Sequence, residues 1–210
     1  MSLYEKTIND YLEVASSKSP TPGGGNVSAV AATNAAAMVC MVANLTIGKK
    51  GYEEYDAQAK EILENTVKLR EKLKELTQKD IDAFNDYMAV FKMPKETDED
   101  KAKRKEAMQK AAKNATLVPL EISKTCVDVL VEAEKLSKFG NKMAISDVGV
   151  AAYIAEACVK AAMYSVDINL PSIKDEAFVE DVKNKRAQYF TKAEELKVLT
   201  LANVNYCMAG

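Results

Sequence analysis

The 210-residue sequence contains no histidine. A Ser–His–Asp triad is therefore excluded, and acid–base chemistry falls to Asp, Glu, Lys or Tyr side chains. The four cysteines are scattered and form no CxxC pair, which together with the missing histidine argues against a zinc site. The phosphate-binding patterns GxxxxGKS/T and GxGxxG are missing too, so neither common kind of nucleotide binding is supported.

The chain also lacks an excess of charge of either sign. Its 29 basic and 31 acidic residues leave a net charge of -2, which argues against nucleic acid or an anionic membrane as a partner. The first residues, Met1–Lys6, contain no apolar core of the signal-peptide type. The cysteines lie among Ala, Val, Met or Leu neighbours, as buried thiols of a reducing compartment do. We therefore expect a cytoplasmic protein.

No stretch alternates with the period of two that a strand requires. Eight glycines, five prolines and 48% hydrophobic residues are typical of a globular, helix-rich chain. We predict an all-α fold, a single-domain bundle of about six to eight helices over residues 1–210. Val27–Ile47 carries no charge over 21 residues, close to the length that spans a bilayer. Because alanine dominates it and polar residues interrupt it, we interpret it as a buried, small-residue central helix.

Capping residues and breakers set the other predicted helix limits. A Ser2–Glu5 capping box starts the first helix, and Pro119 is expected to kink or briefly break a later one. The remaining expectations are a cap at Asn26 or Ser28, a helix end at Gly48–Gly51, a long helix over about Tyr52–Lys92, caps at Thr97 and at Ser146–Asp147, and a last helix over about Asp175–Asn205.

A proline–glycine loop precedes the central helix. Pro20 and Pro22 favour an extended approach, and Gly23–Gly25 permits backbone approaches that a Cβ would block. The N–H groups at a helix start attract anionic groups, so the loop is a candidate ligand contact. The alternative is a tight turn that only lets a buried helix begin.

Asp80 is the residue that departs from its helix pattern. It falls in a gap of the apolar stripe that contains Leu76 and Ala83. A carboxylate on a core face is costly, and desolvation would raise its pKa toward the range of a general acid or base. The alternative is that the helix bends near Thr77 and leaves Asp80 exposed.

Five other residues are candidate ligand contacts. Lys49 and Lys50 follow the central helix and could pair with an acidic ligand, or they belong to an ordinary surface turn. Ser146–Asp147 marks a helix start that could bind a ligand or act only as a cap. Asn169 is a polar residue before a proline turn.

These segments together resemble the formiminotransferase-cyclodeaminase C-terminal domain family. The matching segments, in order, are Pro20–Gly25 before the alanine-rich helix, Gly48–Lys50, Asp80–Phe84, Met93–Lys95, Gly140–Asn141 with Ser146–Asp147, and Ile168–Leu170. No single motif is decisive, but the ordered set is specific and spans nearly the whole chain.

The resemblance implies an all-helical homodimer that acts on the one-carbon unit of tetrahydrofolate. It makes Asp80 the catalytic carboxylate. It implies substrate contacts at Pro22, Gly23, Gly24, Gly25, Lys49, Lys50, Ser146, Asp147 and Asn169. No metal is expected, and no cofactor beyond the tetrahydrofolate substrate, which can carry a polyglutamate tail.

Three activities remain open under the resemblance. The first, and the one we expect, is formiminotetrahydrofolate cyclodeaminase, an ammonia lyase that forms 5,10-methenyltetrahydrofolate; the other two are alternatives. The second is methenyltetrahydrofolate cyclohydrolase, which forms 10-formyltetrahydrofolate. The third is a folate-binding or helical interaction module without catalysis.

Overall fold

This computed structural model describes residues 3–209, which contain six α-helices. They are α1 (Ile8–Ala15), α2 (Gly24–Thr46), α3 (Asp56–Val90), α4 (Asp98–Ser137), α5 (Ile145–Asp167) and α6 (Glu176–Ala209). Short 3-10 turns cover Leu3–Glu5, Glu53–Tyr55, Lys142–Ala144 and Leu170–Ser172. The described range contains no strand, so the prediction of an all-α bundle is confirmed.

Helix α2 is the central helix. Its small side chains, including Ala29, Ala32 and Ala36, are fully buried and let α3, α4 and α5 pack closely around it. By length and composition alone α2 could cross a membrane, yet 61% of its most apolar window lies inside the bundle. The interpretation of this segment as a buried, small-residue core helix is therefore confirmed.

Helices α2 and α5 run antiparallel. At one end the backbone N–H of Asn141 donates to Thr46 Oγ1 (2.9 Å), and Asn141 Nδ2 donates to the Leu45 carbonyl (2.7 Å). At the other end Gly24 faces Ser165, near the end of α5. Each helix has 23 residues and is about 35 Å long. We call the end with Gly23–Gly25 the glycine pole, and the end with the turn Gly48–Gly51 the lysine pole.

Several helix starts differ from the predictions. The N-cap of α2 is Gly23 rather than Asn26 or Ser28, because Asn26 sits three residues later and accepts the Gly23 N–H through Oδ1 (3.0 Å). Helix α5 begins at Ile145, so Ser146 and Asp147 lie in its first turn instead of capping it. The first helix begins at Ile8 with Thr7 as its N-cap. Ser2 lies outside the described residues.

Other predicted limits agree with the structure. Gly48 and Gly51 adopt positive φ angles of 68° and 87° where α2 ends, a conformation that favours glycine. Thr97 caps α4 and forms a capping box with Asp100. Asp175 accepts the Phe178 N–H at the start of α6 (3.0 Å).

Pro119 does not break its helix, because α4 continues from Asp98 to Ser137. Proline has no N–H, so the carbonyl of Ala115, four residues earlier, lacks its usual helical partner. Asn169 Nδ2 donates to that carbonyl instead (3.0 Å). The carbonyl left without a helical partner by Pro119 thus holds Asn169 against α4, close to the pocket described next.

Candidate active site

A pocket of about 320 Å³ opens at the glycine pole. Its walls come from the loop before α2, one face of α3, Ala115 of α4 and the end of α5. The lining residues are Pro20, Thr21, Gly23, Gly24, Gly25, Asn26, Asp80, Phe84, Tyr87, Met88, Ala115, Ser165, Ile168 and Asn169. The structure therefore brings together the glycine loop, Asp80 and Asn169, three features that are far apart in the sequence.

Helix α3 presents Asp80 at the wall of this pocket. Phe84, Tyr87 and Met88 follow it by four, seven and eight residues, and these spacings place all four side chains on one helix face. The Asp80 carboxylate therefore lies on the apolar face of α3, as the gap in the apolar stripe predicts. Asp80 is half-buried at the pocket wall, so the alternative that the helix bends near Thr77 and leaves Asp80 exposed does not hold.

Gly25 lies directly against the Asp80 carboxyl group. A Cβ on Gly25 would lie 2.7 Å from Asp80 Oδ2 and 2.9 Å from Oδ1, closer than real side-chain carbons approach. The close approach predicted for the glycine run thus occurs at its third residue, and its neighbour is the candidate catalytic carboxylate. A larger residue here would displace Asp80.

Burial controls the electrostatics of Asp80. Desolvation raises the pKa of its carboxyl group from 3.8 to about 6. Among residues 3–209, no Lys or Arg nitrogen lies within 4.0 Å of this carboxylate to offset that effect. A carboxyl group with this pKa can both accept and donate a proton near neutral pH.

Asn26 braces the loop against α3. Its side chain is buried, with 1% exposed, and Nδ2 donates to the carbonyl of Thr77 (2.8 Å) while Oδ1 accepts from Gly23. Thr77 lies one turn before Asp80. The amide therefore fixes the distance between the start of α2 and the turn that carries the carboxylate.

Replacing Asn26 with alanine removes both bonds and leaves a buried carbonyl and N–H without the amide. We expect the free energy of unfolding to fall by about 1–3 kcal/mol, the combined net contribution of two hydrogen bonds of about 0.5–1.5 kcal/mol each. Urea unfolding followed by circular dichroism measures this. Asn34→Ala is the matched control, because its exposed amide only donates to the Val30 carbonyl of its own helix. An equal loss in both variants would contradict the bracing role.

Asn169 is held in place by its amide nitrogen. Nδ2 donates to the carbonyls of Ala115 (3.0 Å) and Ser165 (2.9 Å). Both donor hydrogens are therefore used, and Oδ1 is the acceptor that remains for a ligand. The structure thus places this predicted contact residue at the pocket in a fixed orientation.

The other predicted contact residues do not reach this pocket. Pro22 is a buried residue of the loop and does not line the pocket. Lys49 and Lys50 belong to the lysine pole, about 35 Å away along α2. Ser146 and Asp147 are in the first turn of α5, a similar distance from its far end. None of these residues lies at the pocket, so a ligand role for them stays a prediction.

Sequence reasoning missed three contributors to the pocket. Ser165 precedes Asn169 by four residues, a helical spacing that could have paired them. Ala115 precedes Pro119 by four residues, which signals a carbonyl without a helical partner. Met88 continues the α3 face that already holds Asp80 and Tyr87. Each signal is local, but its meaning depends on knowing where the helices meet.

The described residues contain no group of three or more His, Cys, Asp or Glu side chains arranged to hold a metal ion. Cys40, Cys126 and Cys158 are buried thiols, and burial raises the pKa of each. Because burial disfavours the reactive thiolate form, these cysteines are chemically inert.

Comparison with known proteins identifies related chains. The family model described as formiminotransferase-cyclodeaminase matches residues 7–188. Methenyltetrahydrofolate cyclohydrolase of Methylorubrum extorquens is 42% identical over 176 residues, which cover 84% of this chain and 85% of that protein. Formimidoyltransferase-cyclodeaminase of Sus scrofa is 32% identical over 95% of this chain, but the match spans only 37% of the longer pig protein.

A solved structure is similar over its whole length. The crystal structure of formiminotetrahydrofolate cyclodeaminase from Thermotoga maritima superposes with a TM-score of 0.88 at 30% identity, covering 97% of this chain and 98% of that one. The match to the family model and the relatives in sequence and structure agree with one another. The chain belongs to the formiminotransferase-cyclodeaminase family.

Proposed function

We propose that this protein is an enzyme of one-carbon folate metabolism in which Asp80 transfers protons as the methenyl bridge of tetrahydrofolate is opened or made. The observation that carries the proposal is the Asp80 carboxyl group at the pocket wall, packed against Gly25 and with a pKa of about 6. Family membership supports the substrate class, because the relatives are named for reactions of this one-carbon unit.

The first candidate reaction is hydrolysis of methenyltetrahydrofolate. Water adds to the methenyl carbon as the Asp80 carboxylate accepts its proton. Asp80 then donates that proton to N5 as the bond between carbon and N5 breaks. The carbinol hydroxyl loses its proton to solvent as the formyl group forms on N10. A proton acceptor that becomes a proton donor needs a pKa close to the working pH, which fits Asp80.

The second candidate is cyclodeamination of 5-formiminotetrahydrofolate. N10 attacks the carbon of the protonated formimino group, whose nitrogen carries two hydrogens, and Asp80 accepts the N10 proton. The same carboxyl group protonates the departing nitrogen, which leaves as ammonia when the methenyl bridge closes. The similar solved structure, a cyclodeaminase at 30% identity, favours this reaction. The 42% identity with a cyclohydrolase of comparable length favours hydrolysis, so we place hydrolysis before the deamination that we expected from the sequence.

The charge of the substrate supports either reaction at this site. The methenyl carbon carries a delocalised positive charge between two nitrogens, and a protonated formimino group does the same. Asp80 has no cationic protein neighbour within 4.0 Å among the described residues, so a bound cation would be its natural counter-ion. The N–H groups of Gly24 and Gly25 and Asn169 Oδ1 supply polar contacts that orient the pterin ring.

We propose further that the enzyme is a cytoplasmic homodimer that needs neither nucleic acid nor membrane. The family resemblance and the near-neutral charge support this. Exposed apolar side chains on α5 and α6, including Tyr153, Tyr164 and Leu199, offer a surface that a second subunit could cover. Sedimentation equilibrium of the purified protein tests the dimer, and a single species of 23.0 kDa would contradict it.

Absorbance of the methenyltetrahydrofolate chromophore separates the candidates. Faster loss of supplied methenyltetrahydrofolate than in a protein-free control identifies a cyclohydrolase. Appearance of the chromophore from formiminotetrahydrofolate, with release of ammonia, identifies a cyclodeaminase. Neither signal from folded protein would contradict both reactions and leave the non-catalytic binding module.

The dependence of kcat/KM on pH follows from the pKa of Asp80. When Asp80 must begin as a base, activity rises with pH and levels off above the pKa of the free enzyme, which is about 6. We expect a tenfold rise per pH unit below that value, after correction for the uncatalysed reaction. A profile already level at pH 5, with its midpoint near the ordinary carboxyl value, would contradict a desolvated Asp80 as the base.

A further inference from the structure

The 3-10 turn Leu3–Glu5 carries a tyrosine that contacts two helices of the bundle. Tyr4 is half-buried, and its hydroxyl oxygen lies 2.9 Å from Thr33 Oγ1 on α2 and 3.2 Å from Thr77 Oγ1 on α3. Both threonines are buried. One phenol thus joins two helices that follow it by 29 and 73 residues in the sequence.

The Tyr4 hydroxyl is the hydrogen-bond donor of this group. Thr33 Oγ1 already donates to the Ala29 carbonyl of its own helix (2.8 Å). Thr77 Oγ1 donates in the same way to the Leu73 carbonyl (2.9 Å). Both threonine hydrogens are therefore used, and the lone pairs of the two oxygens remain as acceptors. The phenol supplies a hydrogen that neither threonine can supply without giving up its own bond.

Thr77 is the residue through which Tyr4 is connected to the active-site pocket. The Thr77 carbonyl accepts Asn26 Nδ2, and its hydroxyl contacts Tyr4, so two groups from outside α3 hold the same residue. Asp80 follows by three residues, a spacing that places the two side chains next to each other on the helix. Neither Tyr4 nor Thr77 lines the pocket. A change at Tyr4 therefore reaches Asp80 through the positions of α2 and α3.

The Asp80 carboxyl group depends closely on the spacing of these two helices. A Cβ on Gly25 would lie 2.7 Å from Asp80 Oδ2, so the backbone of α2 directly covers the carboxyl group. This cover keeps water from one side of the group, and burial is what raises its pKa to about 6. Movement of α3 away from α2 would admit water at this contact.

The segment before α2 offers little else that could hold α2 against α3. None of the eight residues of α1 is buried, and the connection over residues 16–20 is exposed. Tyr11 of α1 has a buried hydroxyl oxygen without a hydrogen-bond partner among residues 3–209. Burial, and then the Tyr4 phenol, raise the pKa of Tyr11, so the two phenols lie near each other. Tyr4 forms the bond to the helices, and Tyr11 does not.

We propose that Tyr4 is a positioning residue of the active site, whose hydroxyl fixes α2 against α3 and thereby holds the Asp80 carboxyl group against Gly25. The effect on turnover rests on the proposed function. Tyr4 lies outside the pocket and transfers no proton to substrate. It sets the distance at which Asp80 works.

Tyr4→Phe tests this role because it removes the hydroxyl and keeps the ring, which lies 5.8 Å from Lys74 Nζ. A misplacement of about 1 Å can cost about 10²-fold in rate, and for a smaller shift we expect kcat/KM to fall about tenfold. The loss should fall on kcat, with KM changed by less than about twofold, because Tyr4 does not contact the substrate. The chromophore assay measures both, and the acid limb of the pH profile should move below pH 6 as Asp80 regains solvent.

Titration of the Asp80 carboxyl group gives a second readout that needs no turnover. Carbon-13 NMR of protein labelled at the aspartate carboxyl carbons follows it, and the loss of one signal in Asp80→Asn assigns it. We expect a midpoint of about 6 in the wild type and a lower one in Tyr4→Phe. Among the described residues that line the pocket, Tyr87 is the only other one that titrates, so no second carboxyl group or amine there shifts the midpoint.

Two other phenols provide matched controls. Tyr11→Phe removes a hydroxyl from the same segment that has no hydrogen-bond partner among residues 3–209. Tyr52→Phe removes a hydroxyl that accepts the Lys142 N–H (3.0 Å) at the lysine pole, about 35 Å from the pocket. We expect both variants to keep the wild-type kcat/KM and the wild-type titration of Asp80.

Thr77→Val breaks the same contact from the α3 side and keeps the shape of the side chain. It repeats the test if Tyr4→Phe does not fold. If both residues act through one contact, the double variant Tyr4→Phe/Thr77→Val should lose little more kcat/KM than the more damaging single variant. Losses that multiply would show that Tyr4 does not act through Thr77 and would overturn the inference.

The outcomes separate this inference from the proposed function. A wild-type enzyme that turns over, with kcat/KM and the Asp80 titration unchanged in Tyr4→Phe, would overturn the positioning role and leave the enzyme. Equal losses in Tyr4→Phe and Tyr11→Phe would also overturn it, because they would assign the effect to the segment and not to the bond. A lowered Asp80 midpoint in Tyr4→Phe, in a protein that turns over neither substrate, would support the positioning role and contradict the proposed function. No turnover and an unmoved midpoint would contradict both.

Discussion

Replacing Asp80 with asparagine is expected to lower kcat/KM by a factor of about 10²–10⁴ in a protein that still folds, the usual contribution of a general acid–base group. Asparagine keeps the size of the side chain beside Gly25 but cannot exchange a proton at neutral pH. Circular dichroism and the chromophore assay measure fold and turnover on the same preparation. Retention of more than a tenth of the wild-type kcat/KM would remove Asp80 from the mechanism.

The same substitution should stabilise the protein at neutral pH. The pKa of Asp80 is about 6 in the folded chain and near 3.8 when unfolded, so between these values the folded state holds the proton more tightly. The free energy of unfolding therefore falls as pH rises through this window, by about 3 kcal/mol in all. The asparagine of the Asp80→Asn variant does not titrate, so the difference between variant and wild type should grow by most of that amount, about 2.4 kcal/mol, from pH 4 to pH 8.

Asp82→Asn is the matched control for both measurements. Asp82 lies on the same helix, but it is exposed and accepts a hydrogen bond from Gln78 Nε2 (2.9 Å). Because this carboxylate stays in contact with solvent, we expect wild-type turnover and no gain in stability at pH 8. A gain in stability at pH 8 in both variants would show that burial of Asp80 is not its cause.

The helices were predictable because their signals are local. Thr97, Gly48 and Gly51 each act through their own backbone conformation, and the apolar stripes repeat within a single helix. The errors arose where a side chain has a partner on another helix. Asn26 can cap a helix, but in the folded chain its amide bonds Gly23 and Thr77 together, and glycine takes the cap.

The candidate site was predictable where a residue conflicts with its own helix. Asp80 interrupts an apolar stripe, and that conflict is visible without a structure. Asn169 shows no such conflict. Its amide donates to the carbonyl of Ala115 on another helix, which lacks its usual helical partner because Pro119 has no N–H. A cavity lined by basic side chains was equally hidden, since its residues Lys95, Arg104 and Lys174 come from three separate segments. Charge along the sequence does not tell which charges converge.

Replacing Gly25 with alanine is expected to reduce activity almost as much as loss of the carboxylate, while the fold remains. The new Cβ would lie 2.7 Å from Asp80 Oδ2 and 3.0 Å from Cγ, so the short side chain of Asp80 must move. A misplacement of about 1 Å can cost about 10²-fold in rate, and we expect a loss of kcat/KM of that order. Alanine also favours the helix by up to about 1 kcal/mol over glycine, so stability should not fall sharply.

Gly24→Ala separates the contact with Asp80 from the general effect of alanine in this turn. Its Cβ would meet only Ser165 Oγ, at 3.8 Å, an ordinary contact, and the change in helix preference is the same. We expect Gly24→Ala to lose much less activity than Gly25→Ala. We also expect the acid limb of the pH profile to move below pH 6 only in Gly25→Ala, because a carboxylate pushed toward solvent regains its ordinary pKa. Equal losses in both variants, with the acid limb unmoved, would mean that the glycine run serves the loop and not the position of the catalytic carboxylate.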